Sequence, residues 1–160
     1  MSEMHSGPSV RFLCDQNLGR LAKWLRILGY DAEYMARWDD KRVGDAFSSG
    51  RVVLTRKRKM VLRSGVVLIK NDRLREQIRE LSAVYDLGRA GTPFTRCSLC
   101  NTCLTAISRE EVKGLVPEYV YATQDVFVMC PSCKRIYWKG THFEHTQELI
   151  GSLLISDGNS

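Results

Sequence analysis

The chain has 160 residues and a formal net charge of +6, enough for one ordinary domain or for a compact domain with a small metal-stabilised module. A positive surplus is compatible with an anionic partner but does not by itself establish nucleic-acid binding. Residues 1–9 are short and polar, and no apolar run reaches the roughly 18 residues of a membrane span. The sequence therefore predicts neither a signal peptide nor a membrane helix, and we expect a cytoplasmic protein with reduced thiols.

The positive surplus lies in the N-terminal part of the chain. Residues 1–90 contain 18 Lys and Arg against 11 Asp and Glu, whereas residues 91–160 contain 6 against 7. Between the two parts, residues 88–93 combine two glycines and a proline, which is typical of a linker. We therefore predict a basic first domain over residues 10–90 and a second domain over residues 91–150.

The first domain begins with a strand and a helix. Residues 10–14 form an apolar run of strand length. A helical pattern follows from Asn17 with four leucines on one face, and Gly29 ends it. These leucines are Leu18, Leu21, Leu25 and Leu28.

Strands and helices alternate through the rest of this domain. The predicted strands cover residues 32–35, 51–55 and 65–70, and the predicted helices cover residues 40–49 and 72–85. The strands are apolar throughout, as strands covered on both faces are. The sequence therefore predicts an α/β domain in which a mostly parallel sheet carries helices on both faces.

Acidic residues follow three of the predicted strands. Asp15 comes directly after the first strand, Asp39 and Asp40 follow the second, and Asp72 follows the fourth. In a parallel sheet these points share the edge outside the carboxyl ends of the strands, where α/β folds bind ligands. Carboxylates that meet there suit Mg²⁺ or Mn²⁺, and such a cation supports phosphodiester hydrolysis. The sequence thus predicts a catalytic metal site at this edge.

Helix capping is the alternative role for these acids. Asp and Asn are common N-cap residues, each stabilising a helix by about 1 kcal/mol. For Asp40 or Asp72 taken alone, capping is the better explanation. Asp15 is harder to explain in this way, because Gln16 and Asn17 already offer a cap.

Two sets of basic side chains are candidates for contacts with RNA phosphates. One set lies opposite the leucines of the first helix and consists of Arg20, Lys23 and Arg26. The other set follows the third strand and consists of Arg56, Lys57, Arg58 and Lys59. For both sets the alternative is a solvated helix face without a ligand.

Two C-x-x-C pairs define the second domain. The pair Cys97 and Cys100 is separated from the pair Cys130 and Cys133 by 29 residues, more than the roughly 15–20 residues of common zinc sites, so we expect an inserted loop. Four thiolates so arranged close a tetrahedral structural zinc site and leave no position open for water. Cys103 extends the first pair and is an alternative ligand within it.

Two histidines of the second domain are further candidate ligands. His142 and His145 are spaced H-x-x-H in a predicted terminal helix. Four cysteines already complete a structural zinc site, so we do not expect the histidines to bind the metal.

Four segments carry a resemblance to a known family. They read RFLCDQNLGRLAKWLRILGYDAEY, RVVLTRKRKM, VVLIKNDRLREQIREL and CPSCKRIYWKGTHFEH. In order and spacing they resemble the Mut-seven C-terminal RNase domain family, which has a PIN-like (PilT N-terminus) ribonuclease fold and a C-terminal zinc ribbon. The resemblance covers about residues 10–147 and implies metal-dependent cleavage of RNA.

The resemblance also implies roles for individual residues. Asp15 matches the first acid of the PIN site, Asp39 or Asp40 matches the acid on the second helix, and Asp72 matches the last acid. The implied ligands of the zinc ribbon are Cys97, Cys100, Cys130 and Cys133.

Lys57 stands where the third strand of this family usually ends in an acid. The family pattern Thr-Arg-Asp is Thr55-Arg56-Lys57 in this chain. We expect the Lys57 ammonium to pair with Asp15 and Asp72 and to weaken divalent-cation binding by Coulomb repulsion. The sequence is therefore compatible with two functions: a ribonuclease weakened by Lys57, and a catalytically impaired RNA-binding module on the same scaffold.

Overall fold

The computed structural model describes residues 10–60, 63–90, 92–140, 148 and 151–152. The chain divides into two compact units, Met1–Asn101 and Thr102–Ser160. The predicted terminal helix falls mostly on residues outside the described ones.

A four-stranded parallel sheet forms the centre of the first unit. Its strands are β1 (Phe12–Cys14), β2 (Ala32–Tyr34), β3 (Val52–Thr55) and β4 (Val66–Leu68). They lie in the order β2-β1-β3-β4, and each neighbouring pair is parallel. The predicted α/β class with a mostly parallel sheet is therefore confirmed.

α-Helices connect β1 to β2 and β2 to β3, and further helices follow β4. They are α1 (Gly19–Ile27), α2 (Asp40–Ser48), α3 (Leu74–Val84) and the short α4 (Leu87–Ala90). A single 3₁₀ turn, Arg58–Met60, follows β3. The sequence patterns located the first three helices and all four strands to within two residues at each end.

Side chains of β1 alternate between the two faces of the sheet. Leu13 is fully buried in a cluster with Met35, Val53 and two residues of α2, Val43 and Ala46. On the other face, the ring of Phe12 packs at centroid distances of 5.8 Å from Tyr30 and 5.6 Å from Tyr85. The strand is thus covered on both faces, which explains its continuously apolar sequence.

An ion pair between a buried arginine and a half-buried aspartate joins the amino ends of two strands. Arg51, which is 9% exposed, precedes β3, and its Nη1 lies 2.7 Å from Oδ1 of Asp31, which precedes β2. Burial alone would raise the pKa of Asp31, but hydrogen bonds from Arg51 and Asn101 and the guanidinium charge hold that pKa below its ordinary value. The ion pair therefore joins strands that are not neighbours in the sheet.

The second unit contains a three-stranded antiparallel sheet. Its strands are β5 (Thr105–Ile107), β6 (Phe127–Met129) and β7 (Ile136–Trp138), in that order. Two short helices, α5 (Arg109–Val112) and α6 (Glu118–Thr123), lie between β5 and β6 and occupy the segment where we expected an inserted loop. The small core of the unit consists of Val112, Val120 and Phe127.

None of the helices in the described residues is long and apolar enough to cross a bilayer.

Gly29 is expected to tolerate no side chain. Its φ is +95°, and a Cβ there would lie 2.2 Å from the backbone oxygen of Thr92. We therefore expect Gly29→Ala to lower the free energy of unfolding by at least about 2 kcal/mol, measured by urea titration. The matched control is Gly44→Ala in α2, where no atom lies within 4 Å of the added Cβ. In this control the free energy of unfolding should rise by about 0.5–1 kcal/mol. Equal stability of the two variants would contradict the packing at Gly29.

Candidate functional site

The strand register defines the carboxyl edge of the parallel sheet, which is the edge where we predicted the acids. Cys14 in β1 pairs with Tyr34 in β2 and with Leu54 in β3, and Thr55 pairs with Leu68 in β4. The strands are parallel, so the residues that follow them leave the sheet at its carboxyl edge. The acids after β1, β2 and β4 are Asp15, Asp39, Asp40 and Asp72.

Asp15 is fully buried directly after the central strand β1. Its Oδ2 accepts a hydrogen bond of 2.6 Å from the hydroxyl of Thr55 and one of 3.4 Å from the backbone N–H of Arg56. Its Oδ1 accepts a bond of 3.0 Å from the backbone N–H of Asn17. Because both oxygens accept hydrogen bonds, the carboxylate is held in one orientation at the end of the strand.

Thr55 is a site residue that the sequence patterns did not single out. Its hydroxyl donates to Asp15 and accepts the backbone N–H of Lys57 at 3.0 Å. The hydroxyl therefore joins the ends of β1 and β3 and fixes the turn that follows β3. The feature of the sequence that could have identified Thr55 is its position as a polar residue at the end of an otherwise apolar strand.

Asp39 and Asp40 are exposed and make local hydrogen bonds. Asp39 is the N-cap of α2, and its side chain accepts the backbone N–H groups of Lys41 and Arg42 at 2.9 and 3.3 Å. Oδ1 of Asp40 accepts a bond of 2.8 Å from the indole N–H of Trp38. Capping thus occurs at Asp39 and not at Asp40.

Asp72 is exposed and makes no hydrogen bond or ion pair with the part of the chain that the structure describes. The N-cap of α3 is Arg73, so Asp72 does not cap that helix. Instead, the loop after β4 is held by Glu80, whose carboxylate accepts the backbone N–H groups of Lys70 and Asn71 at 2.8 and 2.7 Å. Glu80 is a further acid beside this loop that sequence patterns missed, because a charged residue on a helix usually indicates a solvated face.

The side chain of Lys57 packs against an aromatic ring. Its Nζ lies 3.9 Å from the centroid of the Trp38 ring, which is a cation–π contact. Within the described residues, no ion pair joins Lys57 to Asp15 or Asp72, contrary to our expectation. The indole attracts the ammonium through the face of the ring while its N–H donates to Asp40.

Most of the candidate RNA-binding cations are exposed, and Arg26 is the exception among the basic residues of α1. The exposed side chains are Arg20, Lys23, Arg58 and Lys59. Arg56 is half-buried, and its Nη2 lies 3.5 Å from the backbone oxygen of Lys70. Arg26 instead donates to three backbone carbonyl groups, those of Ala32, Ser98 and Leu99. The role of the exposed cations and of Arg56 in RNA binding stays a prediction.

Four cysteine sulfurs form the cluster that could hold a metal ion. The Sγ atoms of Cys97, Cys100, Cys130 and Cys133 all lie within 4.8 Å of one another. Sulfurs of a tetrahedral zinc site are separated by about 3.8 Å, given a Zn–S distance of about 2.3 Å. Among the described residues, the acids form no comparable group of three or more ligand atoms. Cys103 does not belong to the cysteine cluster. His142 and His145 lie outside the described residues.

The two C-x-x-C pairs have the same local geometry. Backbone N–H groups of Cys100 and Cys133 point at the sulfurs of Cys97 and Cys130 at 3.4 and 3.5 Å. Asn101, directly after the first pair, has a φ of 65° and donates its N–H to the oxygen of Cys97 at 2.9 Å. The equivalent residue after the second pair has a φ of 66° and makes the equivalent bond at 2.8 Å. Each pair is thus a knuckle that turns two sulfurs to one side.

The hydrogen bond between Thr55 and Asp15 can be tested by its contribution to stability. Thr55→Val keeps the shape of the side chain but removes the donor to Asp15 and the acceptor for Lys57. We expect a loss of about 1–3 kcal/mol in the free energy of unfolding, because a buried carboxylate loses its shortest hydrogen bond. Thr55→Ser retains the hydroxyl and is the control. Urea titration of both variants at neutral pH measures the difference, and equal stabilities would show that the hydroxyl contributes nothing.

Comparison with known proteins places this geometry in a family. The family model described as Mut7-C RNAse domain matches residues 10–150. Neither a curated protein nor a solved structure matches the chain. The family description indicates a nuclease-type function with RNA as the substrate class. With nearly its whole length matched, the chain belongs to the Mut7-C RNase domain family, as the sequence resemblance predicted.

Proposed function

We propose that the protein is a metal-dependent ribonuclease whose active site lies at the carboxyl edge of the parallel sheet. The observation that carries this proposal is Asp15: a fully buried carboxylate, oriented by Thr55 and two backbone amides, at the end of the central strand of an RNase-domain fold. A charged group is costly to bury, so an oriented carboxylate at this edge suggests a binding role beyond packing.

The donor set at this edge suits a hard divalent cation. Carboxylate oxygens are the ligands that Mg²⁺ and Mn²⁺ prefer. In our proposal Asp15 is the fixed ligand, and the exposed carboxylates Asp39, Asp40 and Asp72 complete the site when substrate and cation are present. A bound Mg²⁺ or Mn²⁺ would stabilise negative charge on the phosphodiester and lower the pKa of a water molecule.

The basic side chains beside this edge hold the RNA strand in the proposed complex. Lys57 stacks on Trp38 and forms no ion pair with a described carboxylate, so its charge remains available for a phosphate oxygen. The proposed phosphate contacts are Arg20, Lys23, Arg56, Lys57, Arg58 and Lys59. Contacts of this kind position an RNA strand without reading its sequence.

RNA cleavage by metal-free protein supplied with Mn²⁺ tests the proposal. With labelled single-stranded RNA, we expect Asp15→Asn to lower the cleavage rate at least about 100-fold, because the oriented ligand loses its charge. Asp45→Asn, a matched change at an exposed position of α2, should cleave at the parental rate. Binding of RNA without metal should be unchanged in both variants. Cleavage by Asp15→Asn at the parental rate would exclude this active site.

Lys57 distinguishes the ribonuclease from the second candidate, an RNA-binding module with impaired catalysis. For the ribonuclease, Lys57→Asp should raise the cleavage rate at saturating RNA, because it adds a carboxylate and removes an ammonium near the cation. Lys59→Asp makes the same change of charge on the exposed 3₁₀ turn and should not raise the cleavage rate. The binding module would instead retain RNA with an affinity that falls steeply with salt, and neither the parent nor Lys57→Asp would cleave it.

We further propose that the four clustered cysteines bind one structural zinc ion. Elemental analysis should find one equivalent of zinc in the parent and in Cys103→Ser, whose sulfur lies outside the cluster. Cys130→Ser should lose the metal and unfold the C-terminal unit, while residues 10–85 stay largely folded. One equivalent of zinc and an intact fold in Cys130→Ser would refute the ligand assignment.

A further inference from the structure

The outer edge of β2 is capped by two side chains. In the order β2-β1-β3-β4, β2 has a neighbour on one side only. The backbone N–H of Ala32 donates to Oδ1 of Asn101 at 3.0 Å, and its carbonyl accepts Nε of Arg26 at 2.7 Å. Unpaired backbone groups on an edge strand invite pairing with another chain, so these two side chains replace a missing strand.

The same two side chains hold the first cysteine knuckle. Nη1 of Arg26 donates to the carbonyls of Ser98 and Leu99 at 3.1 and 3.2 Å, and these are the two residues between Cys97 and Cys100. Asn101 directly follows that pair. The edge of β2 and the knuckle are therefore bound to one another through two residues.

Both contacts are reinforced by charge. Burial lowers the pKa of Arg26, whereas nearby Cys14, Cys97, Cys100 and Asp31 oppose that effect. A guanidinium beside the cysteines offsets part of the negative charge that four thiolates bring to one ion. Asn101 is itself fixed by donating to Oδ1 of Asp31 at 2.7 Å, the carboxylate that pairs with the buried Arg51.

We propose that Arg26 and Asn101 are positioning residues of the cysteine metal centre, which couple metal binding to closure of the β2 edge. A bound metal fixes the positions of Cys97 and Cys100. It thereby also fixes the two carbonyls between them, which accept hydrogen bonds from Arg26, and the side-chain amide of Asn101, which accepts the N–H of Ala32. Without the metal the knuckle can move, and the hydrogen bonds from Arg26 and Asn101 to the backbone of Ala32 weaken. The coupling is reciprocal, so weakening either cap lowers metal affinity. This inference rests on metal binding by the four cysteines and is independent of RNA cleavage.

Amide exchange at Ala32 tests the coupling in the full chain. The amide of Ala32 donates to Asn101, so we expect zinc removal by a chelator to speed its hydrogen exchange at least tenfold in the parent. Asn101→Gly preserves the backbone conformation at φ 65° but removes the acceptor. In that variant the amide should exchange rapidly with or without zinc.

Zinc affinity, measured by competition with a chromophoric chelator, is the second readout. Arg26→Met and Asn101→Gly should each weaken zinc binding by about tenfold or more, as loss of groups that orient metal ligands does. Lys23→Met removes the same charge from an exposed position of α1, and its zinc affinity should stay within about twofold of that of the parent. Asn101→Gly changes no charge, so the test does not depend on Arg26→Met alone.

Two results would overturn the inference. One is an unchanged exchange rate at Ala32 after zinc removal, and the other is parental zinc affinity in both variants. A parent that binds no zinc would overturn both this coupling and the proposed metal site. Neither readout involves RNA, so failure here leaves the proposed ribonuclease activity unaffected.

Discussion

The parallel pairing of β1 with β2 and β3 determines where the polar side chains of the first unit lie. Because the three strands run in the same direction, Asp15 and Thr55 leave the sheet at its carboxyl edge, whereas Asp31 and Arg51 precede strands at the opposite edge. A polar contact joins two strands at each edge, a buried hydrogen bond of 2.6 Å at one and a partly buried ion pair of 2.7 Å at the other. The sheet is thus fixed at both ends by interactions that its apolar faces cannot supply.

Lys57 makes its described contact with an aromatic ring and not with an acid of the proposed site. An ammonium beside a buried carboxylate would occupy one of its lone pairs and repel a cation. The ammonium instead lies over the ring of Trp38, and the hydroxyl of Thr55 donates to Oδ2 of Asp15. The proposed site therefore keeps a carboxylate for a cation and an ammonium for a phosphate as separate groups.

Local patterns predicted the strands, the first three helices and the cysteine cluster, because apolar periodicity and C-x-x-C spacing are properties of short segments. Long-range partners could not be predicted in this way. On the sequence, Arg26 is one of three cations on a helix face, and two of its three partner carbonyls lie 72 and 73 residues away. Thr55 and Glu80 were missed for the same reason, since each acts on a loop or strand end from another segment.

Asn101 indicates that the first knuckle is shaped by more than its sulfurs. At φ 65° glycine would adopt the backbone conformation without strain, whereas a side chain there is disfavoured by about 1 kcal/mol or more. Asn is among the non-glycine residues that tolerate this region best. Its amide makes two hydrogen bonds that glycine could not make, to the N–H of Ala32 and to the carboxylate of Asp31. Two such bonds, each contributing about 0.5–1.5 kcal/mol, offset the strain, so the residue after the first cysteine pair stabilises the sheet as well as the knuckle.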